Sequence, residues 1–211
     1  MDFDDDDDVE GITDIVKKLG WHKFTQTPPS AVAPIVEEFY ANLPDSYNGK
    51  TRVRGKEVKF DAETINQYYE LPQVEEDEYE EYLKNVDYDK VIRRLTKGQV
   101  KWVMVGDRYK KFFAGNLRNA TRVWQYFMNT RLMPTTHNSI VDRVRGLLLY
   151  CIVTKKQMNV GNIIVSQMLS CANNLNTSYF FPVTRHNTMS TSKSSSYFKR
   201  KGDSPWHLFD L

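Results

Sequence analysis

Apolar residues recur most regularly near the C-terminal end of the chain. Ile140, Val144, Leu147, Leu148, Cys151 and Ile152 fall on one helical face, with Arg143 and Arg145 on the other side. Ser139 followed by Asp142 forms a relaxed capping box, and Lys155-Lys156 place cations at the end where the helix dipole favours them. After a turn through Gln157 and Asn159, a second helix repeats the pattern with Val160, Ile163, Ile164, Met168 and Cys171. Two such helices joined by a short turn predict an antiparallel pair, so the stretch from Thr130 to Met168 reads as the core.

Weaker periodicities place the remaining elements. Ile12, Ile15, Val16 and Leu19 form a short amphipathic turn anchored by Trp21 and Phe24. Ser30 is a candidate cap for a helix through Leu43, with Ile35, Val36, Phe39, Tyr40 and Leu43 inward. Pro28, Pro29 and Pro34 delay its regular part to as late as Ala33, and Pro44 stops it. Val53, Val58 and Phe60 alternate with charged residues in a hairpin over Thr51–Phe60, with Gly55-Lys56 as a two-residue type II′ turn. Asp61 caps a helix through Glu70 with Ile65 and Tyr69 inward, ended by Leu71-Pro72.

Residues 73–82 fit a loop or a frayed helix, and Asp87 or Asp89 starts a helix through Val91, Ile92 and Leu95. Val100 to Val105 is too short to distinguish a strand from an extended connector. Asn116 caps a helix carrying Leu117, Ala120, Trp124, Phe127, Met128 and Leu132, closed by Pro134. The expected fold is mainly α: a single helical domain of about six helices with one small β-hairpin and disordered ends. It divides into an acidic N-terminal segment over 1–20, partly disordered, the folded domain over 21–182, and a Ser/Thr-rich disordered tail over 183–211.

Composition adds a charge map. The formal net charge of +2 covers two opposed segments: residues 61–90 hold eleven acids against two bases, whereas 91–171 hold fourteen bases against Asp107 and Asp142. Such segregation suits a polyanionic partner, or two faces of one fold that attract each other, and the second reading leads the expected architecture. An N-terminus opening with Asp4 to Asp8 is no signal peptide, and the run Leu147–Val153 is far too short to span a membrane. Cys151 and Cys171 sit in apolar helical patterns, as buried thiols of a reducing compartment do; the expected location is intracellular, nuclear or cytoplasmic.

Candidate chemistry is sparse. His22, His137, His186 and His207 are scattered without metal-ligand spacing, and no phosphate-binding glycine loop or nucleophile turn occurs. Asp61, Asp87, Asp89, Asp107 and Asp142 are the acids to test for a two-metal nuclease, but Asp61 and Asp142 are better explained as helix caps. No catalytic residue, metal, cofactor or small-molecule substrate is therefore assigned, and no enzyme is expected. Nucleic-acid binding has more support: Lys97, Lys101, Arg108, Lys110, Lys111, Arg118, Arg122 and Arg131 accompany Trp102, Tyr109, Phe112 and Phe113. Bases neutralise phosphates and aromatics stack on unpaired bases. The competing reading makes those aromatics core, and the bases solvated or paired with the acidic segment.

Four ordered blocks carry a resemblance. Val36-Glu37-Glu38-Phe39-Tyr40-Ala41-Asn42-Leu43, then Val53 to Val58 with Ile65-Asn66-Gln67-Tyr68-Tyr69, then Leu132 to Asn138, and Asn159-Val160-Gly161-Asn162-Ile163-Ile164 together resemble the plant transposon protein domain, a retrotransposon-associated family. The resemblance spans roughly Trp21 to Pro182 and implies a mobile-element origin without established catalytic residues. Two functions stand open: a transposon-derived nucleic-acid binder, and a structural module that self-associates or binds protein. His137 is expected to fix the turn before its helix.

Overall fold

The computed structural model describes residues 5–135 and 137–173, with side chains from Gly11 to Ala172. The tail expected over 183–211 lies outside the described residues. Among the described residues, eight helices and five strands in two small sheets make this a mixed α/β domain, which corrects the expectation of about six helices with one hairpin. The helices are α1 (Asp5–Leu19), α2 (Ala33–Asn42), α3 (Ala62–Tyr68), α4 (Glu78–Lys84), α5 (Tyr88–Leu95), α6 (Asn119–Arg131), α7 (Arg143–Val153) and α8 (Val160–Asn173). The strands are β1 (Lys50–Val53), β2 (Lys56–Lys59), β3 (Val103–Val105), β4 (Arg108–Phe113) and β5 (Ile140–Asp142).

The second sheet, in antiparallel order β3-β4-β5, is the main departure. Its outer strands are three residues long, too short to show alternation. A register shift makes Lys110 an extra residue, since Val103 pairs with Lys111 but Met104 with Tyr109. That bulge puts Tyr109 and Phe112, three positions apart, on the same inner side, so strict alternation is lost. Ile140, Val141 and Asp142 read as helix in the sequence because they continue the apolar spacing of α7. In the fold they are a strand, and Asp142 itself caps α7, its Oδ1 accepting from Arg145 N–H at 2.9 Å.

Four aspartates start four helices. Asp61 caps α3 through Thr64, Asp77 caps α4 through Tyr79 and Glu80, Asp87 caps α5 through Lys90, and Asp142 caps α7. The acidic stretch 73–82 thus contains a true helix, whose Tyr79 is buried and whose Tyr82 packs 5.9 Å from Tyr150 of α7. Two other caps fall elsewhere than expected: Ser30 gives way to Val32 before α2, and Asn116 gives way to Arg118 before α6, neither with a side-chain bond. Asn116 instead closes a single turn of 3-10 helix, Ala114–Asn116. The first hairpin turns at Arg54-Gly55, with φ of 51° and 75°, so it is type I′ and begins one residue earlier than expected.

Helix α7 is the buried axis: every residue from Gly146 to Val153 is inaccessible, and Val144, expected on the core face, is exposed. It packs against α5 and α6, whereas α8 lies against α3. The antiparallel α7–α8 pair therefore does not form. The connection between them is held by α4: Asp77 Oδ2 accepts from Asn159 N–H at 3.1 Å, and Glu78 takes Lys156 Nζ at 2.7 Å and Gln157 N–H at 2.7 Å. At the α3–α8 crossing, Asn66 Oδ1 accepts from Gly161 N–H at 2.9 Å while its Nδ2 donates to Asn159 Oδ1 at 3.0 Å.

These carboxylates make stability acid-sensitive. The hydrogen bond from Lys156 holds Glu78 below its ordinary pKa, burial opposing it. At Asp61 burial pushes upward, but the Thr64 bonds and Lys59 outweigh it and the net shift is down. A carboxyl depressed in the fold contributes stability that is complete above its unfolded pKa of about 4 and lost as pH falls through the lower folded value. Melting temperature should hold steady from pH 7 to about 5 and then decline toward pH 3, with Glu78→Gln showing a shallower acid limb. An unchanged limb in that variant would remove Glu78 as a source.

Candidate nucleic-acid interface

The eight bases singled out in the sequence separate into two environments. Lys97, Lys101, Arg108, Lys110, Arg118 and Arg122 are exposed, and Lys111 is half-buried. Arg131 is elsewhere: its Nη2 donates to Gln26 O at 2.6 Å, its Nη1 is buried without a partner among the described residues, and burial lowers its pKa while Tyr69 opposes the shift. It tethers the segment after α1 to α6 and does not belong to the basic surface.

The remaining seven lie at two places, on or beside the β3–β4 hairpin and around the start of α6. Lys101 precedes β3, while Arg108, Lys110 and Lys111 lie on β4, joined to β3 through Gly106-Asp107 with glycine at φ 57°. Lys97, Arg118 and Arg122 meet at the start of α6, because residues 95–97 bridge to 116–118: Lys97 N–H donates to Asn116 O at 2.9 Å and Arg118 N–H to Leu95 O at 3.0 Å. Lys97 Nζ reaches Asn119 Oδ1 at 3.0 Å, and Arg122 Nη2 reaches Gly115 O at 3.2 Å. The first turn of α6 contains no acid, so three cations surround the positive end of a helix dipole.

None of these seven bases forms an ion pair among the described residues. Lys111 lies opposite Asp142 in the sheet, but Asp142 Oδ2 is taken by Arg145 at 2.6 Å. One pair, Lys156–Glu78, joins the acidic 61–90 stretch to the basic 91–171 stretch. The segments thus do not neutralise each other as expected; most of their charge faces solvent, as at Glu75, Glu76, Glu80 and Glu81.

The aromatics divide differently. Trp102 is buried, its indole N–H donating to Tyr88 O at 2.8 Å and its ring meeting Phe112 edge-on at 5.0 Å. Phe112 is fully buried and Tyr109 packs against Tyr88, so these three anchor the sheet to α5 and α7. Only Phe113 of the four is open, at 60% exposure. Sequence reasoning missed Tyr126, 61% exposed on α6. The helical wheel could have found it, because Asn119, Arg122, Val123 and Tyr126 share the face opposite Trp124 and Met128.

Among the described residues, no group of three or more His, Cys, Asp or Glu could hold a metal, and no helix is long and apolar enough to cross a membrane. Burial pushes the Cys151 thiol up to about 12, away from thiolate reactivity, and raises Cys171 as well. His137 lies in the loop before β5, its N–H on Thr135 Oγ1 at 3.1 Å.

No curated protein and no solved structure is significantly similar to the chain. A family model matches from residue 17 to residue 193, covering all four sequence blocks and reaching into the Ser/Thr-rich stretch. Two of those blocks meet at the α3–α8 crossing, where Asn66 contacts Asn159 and Gly161. The chain therefore belongs to the family described as Putative plant retrotransposon-related domain.

Proposed function

We propose that this domain is a non-enzymatic nucleic-acid-binding module of a plant mobile element, holding phosphates between the β3–β4 hairpin and the start of α6. The observation that carries the reading is the set of seven bases left without an acidic partner, three of them crowding the positive end of a helix. Unpaired cations at that position cost stability and suit a bound polyanion. Two unpaired thiols fit an intracellular, reducing location.

The test is a salt titration of binding to single- and double-stranded nucleic acid, in which log K should fall linearly with log salt concentration. Arg118→Asp makes the result independent of folding. Aspartate at this bare N-cap should stabilise the protein by about 1 kcal/mol while weakening nucleic-acid binding and reducing the salt slope by more than one contact, because a cation is replaced by an anion. Absence of binding at low salt would overturn the reading.

A second reading has its own support. Strand β3 is a sheet edge whose Val103, Met104 and Val105 are 42%, 44% and 61% exposed, an apolar edge open to further pairing. If the domain is instead a self-associating module, light scattering should show a dimer that charge substitutions on β3 disperse, with no affinity for nucleic acid.

A further inference from the structure

Beside the basic surface lies a groove of about 330 Å³ between α6 and the chain entering and leaving the second sheet. Tyr126 and Arg122 form one wall, Gly115 the other, and Gln125 and Asn129 the floor with Asn138. Tyr126 offers its ring at 61% exposure, and Arg122 is held at the rim by its bond to Gly115 O. Phe113, 60% exposed, ends β4 just before the Ala114-Gly115 wall.

The floor is built and incompletely satisfied. Gln125 and Asn129 are 4% and 3% exposed, unusual for amide side chains on a helix. Gln125 Nε2 donates to Asn138 O at 3.0 Å, and Asn129 Nδ2 donates to Asn138 Oδ1 at 2.9 Å. Asn129 Oδ1, although buried, accepts from no donor among the described residues. A groove with an exposed aromatic ring on one side and buried amides beneath suits a flat ligand with a polar edge.

We infer that the groove between Tyr126 and Asn129 receives one unpaired base of a single-stranded nucleic acid. This rests on the nucleic-acid reading above and narrows it. The base stacks on the Tyr126 ring, while Arg122 and Arg118 take the flanking phosphates. In a duplex the base faces are covered by their stacked neighbours, so only unpaired bases are free to stack on Tyr126.

The experiment compares the full 211-residue chain and Tyr126→Ala on three labelled probes: a 12-nucleotide strand, the duplex of the same sequence, and a 12-residue strand of abasic sites. The intact strand should bind more tightly than the other two. Tyr126→Ala should weaken it about tenfold, leave duplex binding unchanged, and keep the salt slope, because no phosphate contact is removed. Tyr126 is exposed, so an unchanged melting temperature verifies the fold. If strand and abasic probe bind alike, or if the substitution has no effect or weakens all three probes equally, the base site is overturned while nucleic-acid binding stands. Failure of all three probes to bind at low salt overturns both.

Discussion

Gly161→Ala should destabilise the domain by about 3 kcal/mol, at the upper end for a single added methyl group. A Cβ at this position would lie 2.3 Å from Ala62 O and 2.8 Å from both Ala62 Cα and Asn66 Oδ1. Two of those three atoms are backbone of α3, so no rotamer change relieves the clash; α8 must move away from α3. The displacement would also break the bond from Gly161 N–H to Asn66 Oδ1 and, through Asn66, the link to Asn159. Thermal melting is the measurement, with an expected fall of roughly 6 to 12 °C for a chain of this size. Gly11→Ala provides the control, since a Cβ there meets nothing within 4 Å and Gly11 lies inside α1. That substitution should be neutral or stabilising by up to about 1 kcal/mol. Equal effects at the two sites would show that helix propensity, and not the crossing, governs Gly161.

Trp21→Ala should cost about 3 to 5 kcal/mol, the range for removing a large buried aromatic. Trp21 is 2% exposed and occupies the centre of an aromatic group, 5.6 Å from Phe24, 6.0 Å from Trp124 and 6.2 Å from Phe127. It follows Gly20, whose φ of 69° allows Trp21 N–H to turn back onto Val16 O at 2.9 Å and close α1. Removing the ring therefore empties the junction between α1 and α6. Chemical denaturation with tryptophan fluorescence as the readout should show a midpoint shifted strongly downward, and Trp21→Phe should recover part of it. A loss below about 1 kcal/mol would mean that the site collapses around the deletion.

Helices with long apolar stripes or an aspartate at the start were legible in the sequence. Asp61, Asp87 and the periodicity of α5 and α8 led to elements that exist. What escaped was decided by partners distant in sequence. Ile140 to Asp142 has no strand signal of its own; it becomes one because Phe112 and Phe113 lie opposite Val141 and Ile140. The α7–α8 pair was the natural local reading of two stripes joined by a short turn. In the fold α8 packs on α3, and Gly161 permits it, because a side chain there would run into Ala62 and Asn66. The candidate interface was legible as a cluster of bases, but not which aromatics were open. Trp102 and Phe112 look like stacking platforms until burial shows them facing inward, and Arg131 looks like its neighbours until its bond to Gln26 O is seen.

The crossing at Gly161 also bears on the order in which the chain can fold. Its partner Asn66 lies 95 residues earlier, and Trp21 waits for Trp124 over a comparable distance. A nascent chain on the ribosome thus holds the apolar face of α3 uncovered until α8 has left the exit tunnel. That face stays uncovered over the 95 residues of synthesis that separate Asn66 from Gly161, an interval in which wrong contacts can compete with the native crossing.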